Sequence, residues 1–113
     1  FSYYQSHTNS SSTTIEGSTT LLPNTWYHVA FVRDDVAKTV TLYVNGVADG
    51  TTSYTGSTVS DFASVGNRIV GNSTSPFNDF INGDIAKVKI YTSALSPSEI
   101  NQNYLNDSIN FSN

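Results

Sequence analysis

At 113 residues, with 37% hydrophobic and only 12% charged side chains, the chain has room for one domain, and its wealth of Ser, Thr and Asn suits short strands joined by polar turns rather than a helical bundle. A net charge of −4 with only five Lys and Arg excludes the basic clusters that hold a nucleic-acid backbone. Cysteine is absent, which removes disulfides and thiolate metal sites, and no apolar run is long enough for a membrane helix, so membrane insertion is not expected.

The first candidate strand is Phe1-Ser2-Tyr3-Tyr4. Because the chain opens inside it and contains no Met, the sequence reads as a piece of a longer polypeptide. Gln5 to Thr20 is mostly Ser, Thr, Asn and His around Ile15, which predicts loops flanking one short strand. Pro23 then marks a turn or edge position, since proline has no N–H for a ladder. Trp26-Tyr27-His28-Val29-Ala30-Phe31-Val32 is rich in aromatic and β-branched residues on both alternating faces, the pattern of a central, two-sided strand. The charges of Arg33 to Thr39 form a polar break. Val40, Leu42 and Val44 then share a core face while Thr41 and Tyr43 point the other way. Asn45-Gly46 is the dipeptide that accepts positive φ at both central positions of a type I′ turn.

Gly50 to Ser60 reads as a connector, with short strands at Phe62 to Val65 and Arg68 to Val70 and a loop over Asn72 to Asn78. Ile85 to Tyr91 alternates, with Ala86, Val88 and Ile90 predicted inward and Lys87 and Lys89 outward. Ser96-Pro97-Ser98-Glu99 combines a capping Ser, Pro at the first helical position and Glu at the third, and Ile100 and Tyr104 follow at i, i+4. A helix of about two turns is predicted from Pro97, with a frayed tail over 106–113.

The order W-x-H-V-A, polar loop, L-Y-V-N-G, followed by Phe80-Ile81-Asn82-Gly83-Asp84-Ile85, Val88-Lys89-Ile90-Tyr91, Ala94-Leu95-Ser96 and Glu99-Ile100, resembles the laminin G-like, concanavalin A-like jelly-roll family from Asn24 to Tyr104. The resemblance implies an all-β, antiparallel jelly-roll sandwich with one short C-terminal helix, a single domain over 1–113 that lacks its N-terminal strands. Such strands would be supplied by other segments or chains, because an open sandwich edge invites pairing. Ala86 stands where the family often has Asp, which puts a polar or metal-linked role there in doubt.

Glycan hydrolases of this architecture need two carboxylates flanking the scissile bond, and no strand here carries such a pair; Glu99 is explained by the capping box. His7 and His28 lack a nucleophile motif, and Gly66 to Gly71 lacks the Lys that would complete a phosphate loop. No enzyme is expected. Asp34, Asp35, Asn78 and Asp79 offer loop oxygens of the kind Ca²⁺ takes, with solvated loop acids as the alternative, and no other cofactor is implied. Sugar recognition needs exposed aromatic platforms beside polar groups, for which Tyr43, Tyr54, Phe77, Lys87, Lys89 and Tyr91 are the candidates. The Asn-x-Ser/Thr triplets at Asn9, Asn72, Asn106 and Asn110 matter only in a eukaryotic secretory route. The expected function is a recognition or adhesion module for glycan or protein surfaces, extracellular or on a cell or virion surface. The alternative is a structural decoration or scaffold domain of a phage particle or surface layer.

Overall fold

The computed structural model describes residues 2–6, 12–55, 71–72, 79–80 and 83–111, and every strand pairing within them is antiparallel. In chain order the elements are β1 (Ser2–Ser6), β2 (Ser12–Glu16), β3 (Val29–Asp34), β4 (Thr39–Val44), β5 (Val47–Ser53), β6 (Gly71–Asn72), β7 (Asp79–Phe80) and α1 (Pro97–Ser108). Two compact units emerge: Phe1–Thr58 with Tyr91–Asn113, and Val59–Ile90.

In the larger unit, β1 and β2 form a hairpin that pairs Tyr3 with Ile15, and β3, β4 and β5 form a sheet in that spatial order. Asn45 and Gly46 take φ of 50° and 79°, the positive values a type I′ turn requires, and the turn brings Val44 opposite Val47. At the other end of β4, Asp34 pairs with Thr39 across the four-residue tip 35–38. The Asp34 carboxylate closes this tip by accepting from the Val36 and Ala37 N–H groups, both at 2.9 Å.

Val40 and Leu42 are fully buried and Val44 nearly so, all on one face of β4, as the alternation predicts. Ile15 and Tyr54 complete the core cluster with Val40 and Leu42. Gly50 lies at the contact between these layers. A Cβ there would sit 3.4 Å from both the Glu16 carbonyl and the Ile15 side chain, in ordinary van der Waals contact with the end of β2. Gly50 thus lies inside a strand rather than opening a connector.

The opposite end of the sheet seats α1. A Cβ on Gly46 would meet Tyr104 Cδ1 at 3.0 Å and Asn101 Cα at 3.2 Å, and the His28 and Tyr104 rings lie 6.0 Å apart. The helix begins at the predicted capping box and reaches Ser108, past both the two turns and the Asn106 limit expected from sequence. Ile100 is its buried anchor.

Several expectations are corrected. Trp26 and Tyr27 precede the strand, which starts at Val29, and Trp26 remains partly exposed against the Phe111 ring at 5.2 Å. Among the described residues β3 pairs with β4 alone, where the sequence pattern predicted neighbours on both sides. Val29 and Phe31 are accordingly 41% and 45% exposed although their partners Val44 and Leu42 are buried.

In the smaller unit, β6 and β7 pair Gly71 with Phe80 and Asn72 with Asp79. The strands predicted at Phe62 to Val65 and Arg68 to Val70 lie outside the described residues. Segment 84–90 has no regular structure, and Val88 and Ile90, expected in the core, are more than half exposed. Alternation alone does not make a strand. The backbone also needs a neighbour to complete its ladder, and no described strand pairs with this segment.

Leu42→Ala should cost about 2–5 kcal/mol through lost burial and the cavity left behind, read as a lower denaturant midpoint with an unchanged slope. Gly46→Ala should cost at least about 1 kcal/mol, because the new Cβ combines a disfavoured positive φ with a clash against α1. An unchanged midpoint would show that α1 does not rest on the turn.

Candidate functional site

Alternation places Val32, Asp34, Thr39, Thr41 and Tyr43 together on the face of β3 and β4 opposite the core, since Val32 pairs with Thr41 and Asp34 with Thr39. Ala94 to Glu99, the approach and first turn of α1, lies against this face and leaves a groove of about 310 Å³. The wall on the sheet side is hydroxyl-rich. Thr41 accepts at its Oγ1 from the Thr51 hydroxyl at 3.1 Å, across the β4–β5 pair. On the helix side the Ser96 N–H donates to the Glu99 carboxylate at 2.7 Å and the Glu99 N–H donates back to Ser96 Oγ at 3.2 Å. The bond from the Ser96 backbone holds the Glu99 carboxyl below its ordinary range, so Glu99 faces the groove as a fixed anion.

Beyond Leu95 and Glu99, which line both, a second depression of about 210 Å³ is bounded by Tyr91, Gln102 and Asn103. The Asn103 side-chain amide donates to the Tyr91 hydroxyl at 3.1 Å, anchoring a ring that is 46% exposed.

Tyr91 is exposed as expected, but on an irregular segment rather than on the predicted strand. Tyr43 belongs to the groove but is 5% exposed, because the segment before α1 covers its face of the sheet; burial also raises its hydroxyl pKa. Tyr54 is 4% exposed and belongs to the core, not to a loop platform. Its hydroxyl donates to Asp35, while Arg33 Nε donates to the same hydroxyl at 3.3 Å. The Arg33 guanidinium and the Lys38 ammonium lie 5.7 and 5.6 Å from its ring centroid. Lys87 and Lys89 are exposed on segment 84–90 rather than on a strand, and Phe77 lies outside the described residues.

Of the calcium candidates, Asp34 is committed to the hairpin tip through Val36 and Ala37. Asp35 forms an ion pair with Arg33 at 2.6 Å, and hydrogen bonds from Arg33 and then Tyr54 lower its pKa. Asp79 lies in β7 opposite Asn72, and Asn78 is outside the described residues. Among the described residues no three His, Asp or Glu side chains gather as a metal site would need.

Asp49 was not singled out by sequence. It occupies the irregularity between Leu42 and Tyr43 in the β4–β5 register, where Gly50 pairs with Leu42 and Ala48 with Tyr43. The extra residue turns its carboxylate toward Ser18 and Thr19, whose donors are the Ser18 hydroxyl at 3.0 Å, the Thr19 N–H at 2.9 Å and the Thr19 hydroxyl. Hydrogen bonding from Thr19 lowers its pKa. The signal in the sequence was Asp-Gly, a turn-type pair, set within a Val/Thr strand.

A profile described as the Concanavalin A-like lectin/glucanases superfamily, of laminin G type, matches residues 1–101. The chain belongs to this family. Among solved structures it is similar to a crystallised fragment, residues 221–444, of an S-layer domain-containing protein from Clostridium thermocellum ATCC 27405, with 26% identity and a TM-score of 0.62. That similarity covers 82% of the present chain but only 45% of the other, so this laminin G-type chain spans less than half of its structural relative. No curated protein matches it.

The carboxyls of Asp35, Asp49 and Glu99 all have pKa values lowered in the folded state. Their stabilisation is present above the unfolded pKa values and is lost as pH falls through the folded ones. The denaturation midpoint should therefore stay level down to about pH 5 and drop below about pH 4, and Asp49→Asn should flatten part of that drop.

Proposed function

We propose that the chain is a non-catalytic recognition module that works outside the cell, on a cell or virion surface, and holds a glycan in the groove between the β3–β4 face and α1. The lining of that groove carries the reading. Thr39 and Thr41 supply hydroxyls that both donate and accept, and Asp34 and Glu99 supply anionic acceptors already fixed in place by backbone N–H groups. A small set of oriented polar groups over an apolar floor is what a polyhydroxylated ligand needs.

Hydrolysis is a poorer fit. A glycosidase requires one carboxyl with a raised pKa as proton donor beside a second carboxylate. Glu99 is shifted the opposite way by the Ser96 backbone, and Asp34 is tied into a turn. The similarity to an S-layer domain-containing protein supports an exterior location. Within this proposal the chain forms part of a jelly-roll sandwich, completed by other segments or chains along its open edges.

The same relative favours a second reading, a scaffold domain within a surface layer or comparable assembly, for which the side of β3 without a partner among the described residues would be the joint.

Thr41→Trp separates the two readings. Filling the groove should abolish binding to immobilised polysaccharides in a variant whose far-ultraviolet dichroism shows an intact sheet, and should leave any self-assembly unchanged. Retained glycan binding would exclude the groove as the contact, and self-assembly of the unaltered chain without any glycan binding would favour the scaffold.

A further inference from the structure

We infer that the groove and the Tyr91 depression form one two-site cleft that takes at least two consecutive sugar units, uncharged or amino-bearing, and turns away acidic sugars. This rests on the glycan reading above. The two hollows adjoin, because Leu95 and Glu99 line both, so a ligand that crosses these two residues would occupy both. At about 310 Å³ the first lies at the low end of the range for small-molecule pockets, roughly 300–1,000 Å³, and the second is smaller still. Each suits one sugar ring better than a longer chain.

Their chemistry divides in the same way. The sheet-side hollow offers hydroxyls and carboxylates from Thr39, Thr41 and Asp34. The helix-side hollow offers a half-exposed tyrosine ring held by Asn103, with the amide of Gln102 beside it. An apolar ring face flanked by amides is a platform for the C–H face of a pyranose, and hydroxyl-rich walls suit its equatorial edge.

Charge sets the selectivity. Neither hollow has Lys or Arg among its lining residues, whereas Asp34 and Glu99 line the first and Glu99 stands at the junction. An acidic sugar placed there would bring a carboxylate or sulfate against fixed anions without a cation to offset them. A protonated amino sugar would meet the opposite field.

Calorimetric titration of the chain with glucose, galactose and glucosamine, their β-linked disaccharides, and digalacturonic acid tests the cleft. At least one disaccharide should bind about tenfold or more tighter than its monosaccharide, and digalacturonic acid should bind at least tenfold weaker than that disaccharide. Tyr91→Ala should erase the disaccharide gain and leave monosaccharide affinity unchanged, while Tyr91→Phe, which keeps the ring, should retain most of the gain. Equal affinity for mono- and disaccharide, an indifferent Tyr91→Ala variant, or tight binding of digalacturonic acid would overturn the two-site cleft. Those results would leave single-site glycan binding standing if Thr41→Trp still blocked it. Absence of binding across the whole panel would overturn both proposals.

Discussion

Asn45 exchanges two hydrogen bonds with His28, its backbone N–H donating to the His28 carbonyl at 2.7 Å and its side-chain oxygen accepting from the His28 N–H at 3.0 Å. One residue therefore ends β4, extends the pairing with the chain that enters β3, and begins the turn into β5. Gly46, lacking a side chain, leaves the space where Tyr104 lands. The sheet and α1 are joined at this point, and the groove exists because the joint holds Ala94 to Glu99 over the outer face of the sheet. A residue that disturbed the turn would act on strand pairing and helix seating together.

Two kinds of carboxylate surround this framework. Asp35 and Asp49 are consumed by internal contacts, the first by Arg33 and Tyr54 at the hairpin tip, the second by Ser18 and Thr19 at the bulge. Asp34 and Glu99 also hold backbone amides, but they do so at the rim of a hollow. Fixing an acceptor before a ligand arrives lowers the ordering cost of binding, which is how a shallow groove can still discriminate. The tyrosine between Arg33 and Lys38 has the opposite role, stiffening the tip from within the core.

Local signals were legible in the sequence. Asn45-Gly46 specified its turn, the alternation of Val40, Leu42 and Val44 specified a core face, and Ser96-Pro97-Ser98-Glu99 specified a helix start, because each is decided by residues a few positions apart. Non-local features were not. Tyr54 is buried by contact with Ile15, some forty positions away, and Tyr43 is covered by a segment some fifty positions on. No periodicity records such meetings. The Ile85 to Tyr91 pattern shows the converse failure, a clear alternation without a described partner strand. In the site, Tyr91 could be foreseen as an exposed ring, but the hydroxyl wall of Thr39 and Thr41 gains meaning only from the helix that faces it.

The seating of the chain after α1 has a spectroscopic signature. Trp26 is the chain's single tryptophan, and its ring leans on Phe111 at an interplanar angle of 50°, just beyond the last helical turn. Its emission thus reports a docking contact at the periphery rather than the state of the Val40 and Leu42 core. Fluorescence and far-ultraviolet dichroism would follow different events in the same sample, so release of the segment after α1 could be watched while the sheet stays folded.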